Sequence, residues 1–142
     1  MIIRKSPAKI NLYLNIIEKR DDGYHNIETY FQFINLYDEI HINSISGNVI
    51  EFSSNNKSLS ASGNLCVKAA EILKDYIKPK NSLNASIKLI KNIPIGAGLG
   101  GGSSNAATIL LGLNDLWQCN LKKSELISLG KELGSDVPVF IN

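Results

Sequence analysis

The 142 residues are 44% hydrophobic and 20% charged, which suits one compact domain burying about 68–70% of its unfolded surface. Lys and Arg number 15 against 13 Asp and Glu, a formal charge of only +2, so the dense basic face of an RNA- or DNA-binding domain is missing and no nucleic-acid partner is expected. Met1 to Pro7 lack the apolar core of a signal peptide and no stretch has the length of a bilayer span, so a cytoplasmic location without a membrane partner is expected.

In chain order, residues 8–17 alternate with period two, predicting a strand with Lys9, Asn11 and Tyr13 on one face and Ile10, Leu12 and Leu14 on the other. Asp21-Asp22-Gly23 is turn chemistry, and residues 27–33, 38–45 and 49–53 read as further strands of a meander. The Ser- and Asn-rich segment 53–64 reads as a mobile surface loop. Asn64 is an N-cap for an amphipathic helix marked by Leu65, Ala69, Ile72, Leu73 and Tyr76, ending near Lys78-Pro79. Residues 86–93 alternate again as a strand. A helix over 103–117 is apolar at Ala106, Ile109, Leu110, Leu113 and Trp117, hence buried. A last helix runs from Ser124 through Leu133, with Gly134 ending it at C′. The chain stops at Asn142 directly after apolar Val137 to Ile141, which suggests truncation. Cys66 and Cys119 have neither a C-x-x-C partner nor a His at metal spacing and read as packing residues.

Between the 86–93 strand and the next helix lies the densest signal, Pro94-Ile-Gly-Ala-Gly-Leu-Gly-Gly-Gly-Ser-Ser, with five glycines at 96, 98, 100, 101 and 102. Glycines admit positive φ and close ligand approach, and a helix starting just after them offers unpaired N–H groups and a positive dipole end. That combination predicts a phosphate site. Gly96, Gly98 and Gly101 satisfy G-x-G-x-x-G, but no compact βαβ surrounds them and Asp115, at the right distance for a ribose-binding acid, falls inside a predicted helix. No Lys follows the glycines, so the Walker A pattern is absent as well.

Three further segments carry possible chemistry. Pro7-Ala8-Lys9-Ile10-Asn11 sets an ammonium and a carboxamide on one strand face, an arrangement a solvated surface strand explains equally well. Asp22-Gly23-Tyr24-His25 offers an aromatic plane beside an imidazole, suited to a heterocyclic base or merely covering a strand edge. Gly134-Ser-Asp-Val-Pro138 holds Asp136 in a helix-end turn where an Asp can also serve only as a cap.

Taken in this order, the four segments resemble the GHMP kinase superfamily, and within it the branch acting on a cytidine-linked methylerythritol. Pro94 to Ser104 is similar to the pattern P-x-x-x-G-L-G-S-S, with Gly101 and Gly102 standing between Leu99-Gly100 and the serine pair. Ser6 to Leu12, Asp22 to His25 and Gly134 to Phe140 resemble that branch rather than mevalonate, homoserine or galactose kinases.

The resemblance implies an α+β fold: a two-layer α/β sandwich of the ribosomal protein domain 2-like type, with a mixed, mainly antiparallel sheet and helices on one face. It implies that residues 1–142 form an N-terminal, ATP-binding domain and that a second domain, absent from this chain, supplies another glycine-rich motif and the far wall of the cleft. The fragment alone is then expected to have little or no activity. The implied reaction is ATP-dependent phosphorylation of the 2-hydroxyl of 4-(cytidine 5'-diphospho)-2-C-methyl-D-erythritol in the non-mevalonate route to isoprenoid precursors.

By the same resemblance, Asp136 is the general base, and Lys9 lies near the hydroxyl and the transferring phosphoryl group. Tyr24 stacks on cytosine and His25 bonds its polar edge, with Asn11 and Phe31 as further substrate-side residues. ATP phosphates lie on Pro94, Gly96, Gly98, Leu99, Gly100, Gly101, Gly102, Ser103 and Ser104, while Asn64, Leu65 and Lys91 surround the nucleoside. Mg²⁺ accompanies the nucleotide; the sequence names no carboxylate ligand, leaving Ser103 and Ser104 as candidates. Two other readings stay open: another small-molecule kinase of the superfamily, or a nucleotide-binding module without chemistry, which would tolerate Asp136→Asn.

Overall fold

The computed structural model describes residues 1–19, 23, 25–78 and 83–141, with the side chains at 14, 19 and 25–27 outside that description. Two long strands, β1 (Ile2–Lys19) and β2 (His25–Asn43), pair antiparallel. With β3 (Ile50–Ser54) and β4 (Ala85–Ile90) they form a four-stranded sheet in the order β1-β2-β4-β3. Helices α1 (Leu65–Ile77), α2 (Gly101–Leu116), α3 (Lys123–Leu133) and α4 (Val137–Ile141) complete the described elements. No described helix is long and apolar enough to cross a membrane.

The expected meander is not what forms. The strands expected at 27–33 and 38–45 merge into β2, which stops at Asn43, because the intervening segment passes through a bulge: Pro7 faces Tyr37 while its neighbour Ala8 faces Ile34. An extra length on one strand bends the ladder without ending it. The strand expected at 49–53 leaves the meander too, since β3 pairs with β4 in parallel at the far edge of the sheet. Parallel neighbours need a crossover of a dozen or more residues, and α1 supplies it as a β3-α1-β4 unit.

The core lies between the sheet and the helices. Ile40, Ile42, Ala85, Ile87 and Leu89 alternate onto one face and cluster with Ala69, Ala70 and Leu73 of α1 and with Ala106, Ile109, Leu110 and Leu113 of α2. Residues 104–110 of α2 are buried on every side of the helix, which explains its nearly continuous apolar run. Gly112 lets α2 lie against Ile42 Cδ1, where an added Cβ would collide. Trp117 is only partly buried and its Nε1 donates to the Asn84 carbonyl (3.1 Å).

Helix boundaries follow their caps. The Asn64 side chain accepts from Cys66 N (2.9 Å) and starts α1, which Lys78 closes in the left-handed region (φ 43°). Removing this cap costs about 1 kcal/mol, so Asn64→Ala is expected to lower the urea midpoint of the chain without changing the slope of the transition. Helix α2 starts at Gly101, two residues before the sequence expectation, because Gly100 takes a left-handed conformation (φ 69°) that turns the chain into the helix. Gly134 does end α3, through N–H donation to Gly130 O (3.1 Å), but its φ of 163° is extended backbone and not a left-handed C′ turn.

Beyond the bulge, β1 and β2 continue as a two-stranded ribbon. Here the period-two reading fails as a guide to burial: Ile10 and Leu12 are exposed, Leu12 at 65%, with Ile16, Ile17 and Tyr30 also open. A further register shift between Asn11 and Tyr13 breaks the alternation, and no described helix reaches over the ribbon to bury either face. Tyr13 and Tyr30 pack across it, ring centroids 6.1 Å apart. Of the predicted turn at 21–23, Asp21 and Asp22 lie outside the described residues.

Candidate active site

Residues 91–100 link the end of β4 to α2. Gly96, Gly98 and Gly100 all have positive φ (74°, 72° and 69°), while Ala97 and Leu99 between them do not. Such alternation of hand along a backbone is the geometry of anion-binding nests. At Gly100 the requirement is doubled, since an added Cβ would lie 2.9 Å from Phe140 Cζ and 3.1 Å from Lys9 Cε. Helix α2 has no side-chain cap at its start, so its first N–H groups are left for a ligand.

The loop forms one wall of a cavity of ≈ 440 Å³, within the range of small-molecule sites. Every residue from Pro94 to Ser103 lines it, facing Leu59, Asn64, Leu65 and Lys91. The predicted nucleotide residues are thus brought together, with one exception. Ser104 is fully buried and its hydroxyl accepts from Ser6 Oγ (2.8 Å), so it faces the core and not the cavity. The Ser- and Asn-rich segment also acquires a role: Leu59 reaches the cavity, and Asn55 Oδ1 accepts the Lys91 N–H (2.7 Å).

Lys9, which the strand pattern alone leaves as a solvated cation, is only 8% exposed. It sits just past the bulge, where re-aimed side chains are common. Its backbone N–H donates to Leu99 O (3.0 Å) and its ammonium to Gly98 O (3.3 Å) and Asn11 Oδ1 (3.2 Å). Asp136 Oδ2 lies 3.7 Å from the same ammonium, and the Asp136 side chain remains 47% exposed. Residues from β1, the glycine loop and the turn before α4 therefore converge on one cation.

Phe31 is exposed, its ring 5.6 Å from Phe33, which stands 5.5 Å from Phe140 beside Gly100. This aromatic row connects the ribbon to the glycine loop. Tyr24 and the side chain of His25 lie outside the described residues. Cys66 borders the cavity, and burial, followed by the negative charge of Asp38, pushes its thiol up to about 12. It stays protonated at neutral pH and acts as an apolar filler. Cys119 is half-buried, and both cysteines are free, as packing residues would be.

The sequence reading misses Asp38. This carboxylate is fully buried on β2; Oδ1 accepts Asn92 N (2.7 Å) and Ile93 N (2.8 Å), and Oδ2 accepts Lys91 Nζ (2.7 Å) and Asn105 Nδ2 (2.9 Å). The available signal was its phase: Asp38 alternates with Ile40 and Ile42, the buried face of the strand. The Lys91 ammonium, expected beside the nucleoside, is engaged by Asp38 and by Ile93 O (2.6 Å), and the residue lines the cavity.

A two-layer fold sets a glycine nest at the start of a buried helix, beside a Lys–Asp pair, and comparison with known proteins gives the family. Residues 64–142 match the GHMP kinases N terminal domain, and the chain belongs to that family. It is 50% identical over 136 residues to the 4-diphosphocytidyl-2-C-methyl-D-erythritol kinase of Ruthia magnifica, covering 96% of this chain and 47% of that protein. The protein of the same name from Prochlorococcus marinus is 55% identical over 139 residues, 97% of this chain and 44% of its own length. Among solved structures, a 4-(cytidine 5'-diphospho)-2C-methyl-D-erythritol kinase superimposes with a TM-score of 0.82 at 36% identity, covering 99% of this chain and 48% of that one. A mevalonate kinase shares the fold (TM-score 0.71, 20% identity, 98% of this chain and 47% of that one). The chain spans about half the length of the curated relatives it matches.

Proposed function

We propose that this chain is the nucleotide-binding half of an ATP-dependent kinase that phosphorylates the 2-hydroxyl of 4-(cytidine 5'-diphospho)-2-C-methyl-D-erythritol. The observation that carries the reading is the Lys9 ammonium held between the Gly98 carbonyl and the Asp136 carboxylate. The glycine nest and the open start of α2 take the nucleotide phosphates. Asp136, half-exposed, accepts the proton of an incoming hydroxyl, and Lys9 offsets charge spreading over the phosphoryl oxygens. Most of the rate comes from positioning, as in phosphoryl transfer generally. The names of the relatives support the cytidine-linked substrate over mevalonate or homoserine.

Mg²⁺, when bound, neutralises phosphate charge. Among the described residues no group of three or more His, Cys, Asp or Glu could hold an ion. The donors present fit an ion carried chiefly on the phosphates, the usual mode for Mg²⁺. Ser103 is the loop hydroxyl residue that borders the cavity, whereas the Ser104 hydroxyl is taken by Ser6.

The deciding assay is phosphate transfer from ATP by the full-length protein to the cytidine-linked methylerythritol, mevalonate and homoserine. Strong preference for the first is expected; equal rates, or preference for another, sink the substrate assignment. In the same assay Tyr24→Ala is expected to raise the KM for the cytidine substrate about tenfold, the scale of one lost base–aromatic stack, with the KM for ATP unchanged.

A further inference from the structure

We propose that Asp38 is a positioning residue that closes the base of the glycine loop and so sets its grip on nucleotide phosphates; this rests on the kinase reading above. β4 ends at Ile90, the glycine loop follows Asn92 and Ile93, and the chain is secured again at Asn105 in α2. Both ends are tied to the one carboxylate: Asn92 N and Ile93 N on Oδ1, Asn105 Nδ2 on Oδ2. The Asn105 amide also donates to Ser6 Oγ (2.9 Å), which in turn donates to Ser104 Oγ, so the tie continues to β1. Four donors fill the acceptor positions of Asp38 and no part of it is exposed. It has no free lone pair for a ligand. It also stands outside the cavity lining, so any influence on the ligand passes through the loop.

Asp38 holds the Lys91 cation in place as well. The ammonium lies 3.1 Å from where a Cβ on Gly101 would be, beside the positive end of α2. A cation there is repelled by the helix dipole, and the buried carboxylate 2.7 Å away compensates. An apolar pair could fill the same space without the cost of desolvating two charges. What the polar clamp adds is a fixed distance between the two ends of the loop.

The test titrates the full-length protein with ADP and with adenosine by calorimetry, for Asp38→Asn and Asn105→Ala, after circular dichroism has established that each is folded. Asn105→Ala cuts the tie to α2 and leaves the Asp38–Lys91 pair standing; since Asn105 also borders the cavity, it decides the matter, should Asp38→Asn fail to fold, only with faster amide hydrogen exchange across 95–100 in the ligand-free protein, and unchanged exchange overturns the role. Both variants are expected to weaken ADP about tenfold, equivalent to about 1.4 kcal/mol, while adenosine, which lacks the phosphates, shifts less than about twofold. Unchanged ADP affinity in a folded variant, or equal weakening of ADP and adenosine, overturns the positioning role and leaves the kinase reading intact. Failure of the unaltered protein to bind ADP overturns both.

Discussion

Asp136→Asn in the full-length protein is expected to reduce kcat by about 10²–10⁴, the range that a positioned general base contributes, and to leave ATP affinity within about twofold, since none of the nest rests on that residue. The expectation of intact binding follows from the contacts. The loop is secured by Leu99 O to Lys9 N, by Gly98 O to the Lys9 ammonium, and by the residues around Asp38. The Asp136 carboxylate meets the ammonium from 3.7 Å and half in solvent, an ion pair of small structural worth. The amide is nearly the same size and leaves Lys9 its two oxygen partners, Gly98 O and Asn11 Oδ1. Single-turnover kinetics with nucleotide calorimetry separates the two effects. Full activity in the Asp136→Asn variant would remove the assigned base, whereas nucleotide binding without turnover in the unaltered protein would favour a module that binds nucleotide without chemistry.

Gly100→Ala is expected to cost about 2–4 kcal/mol, from adding a Cβ in a left-handed conformation and crowding a filled site. At φ 69° the new methyl meets Phe140 Cζ at 2.9 Å and the Lys9 stem at 3.1 and 3.2 Å. Lys9 is anchored by its backbone, so relief must come from swinging its side chain away from Gly98 or from pushing α4 outward. Either movement separates Lys9 from Asp136, and the folded fraction should lose turnover too. Gly102→Ala is the matched control: its added methyl finds only Leu65 Cδ1 at 3.5 Å, an ordinary contact. Urea unfolding of both variants reads the difference, and equal midpoints would mean that the loop yields where it is described as tight.

The segments legible in the sequence are those decided within a few residues. The glycine nest, the Asn64 cap, the buried α2 and the stop at Gly134 depend on local φ preference, capping and helical period. The sheet was less legible because pairing is settled at a distance. Whether residues 27–45 are two strands or one depends on the bulge opposite Pro7 and Ala8, and β3 joins β4 only once α1 has crossed over. Burial of charge was hidden for the same reason. Asp38 has the composition of a surface residue, and its donors arrive from 53 to 67 positions further along the chain. Lys9 is buried by a loop about 90 residues away in the chain, a relation no periodicity in β1 can express.

The Lys9 peptide N–H bond to the Leu99 carbonyl has a practical consequence. Because it belongs to the main chain, every replacement at position 9 except proline keeps it. Of the two bonds by which position 9 holds the loop, this one is thus independent of the side chain, and only the bond from the ammonium to Gly98 O changes with it. Charge, length and hydrogen-bonding capacity at this position can be varied one at a time against that constant main-chain bond, making it a clean place to measure what a single cation contributes to the proposed reaction.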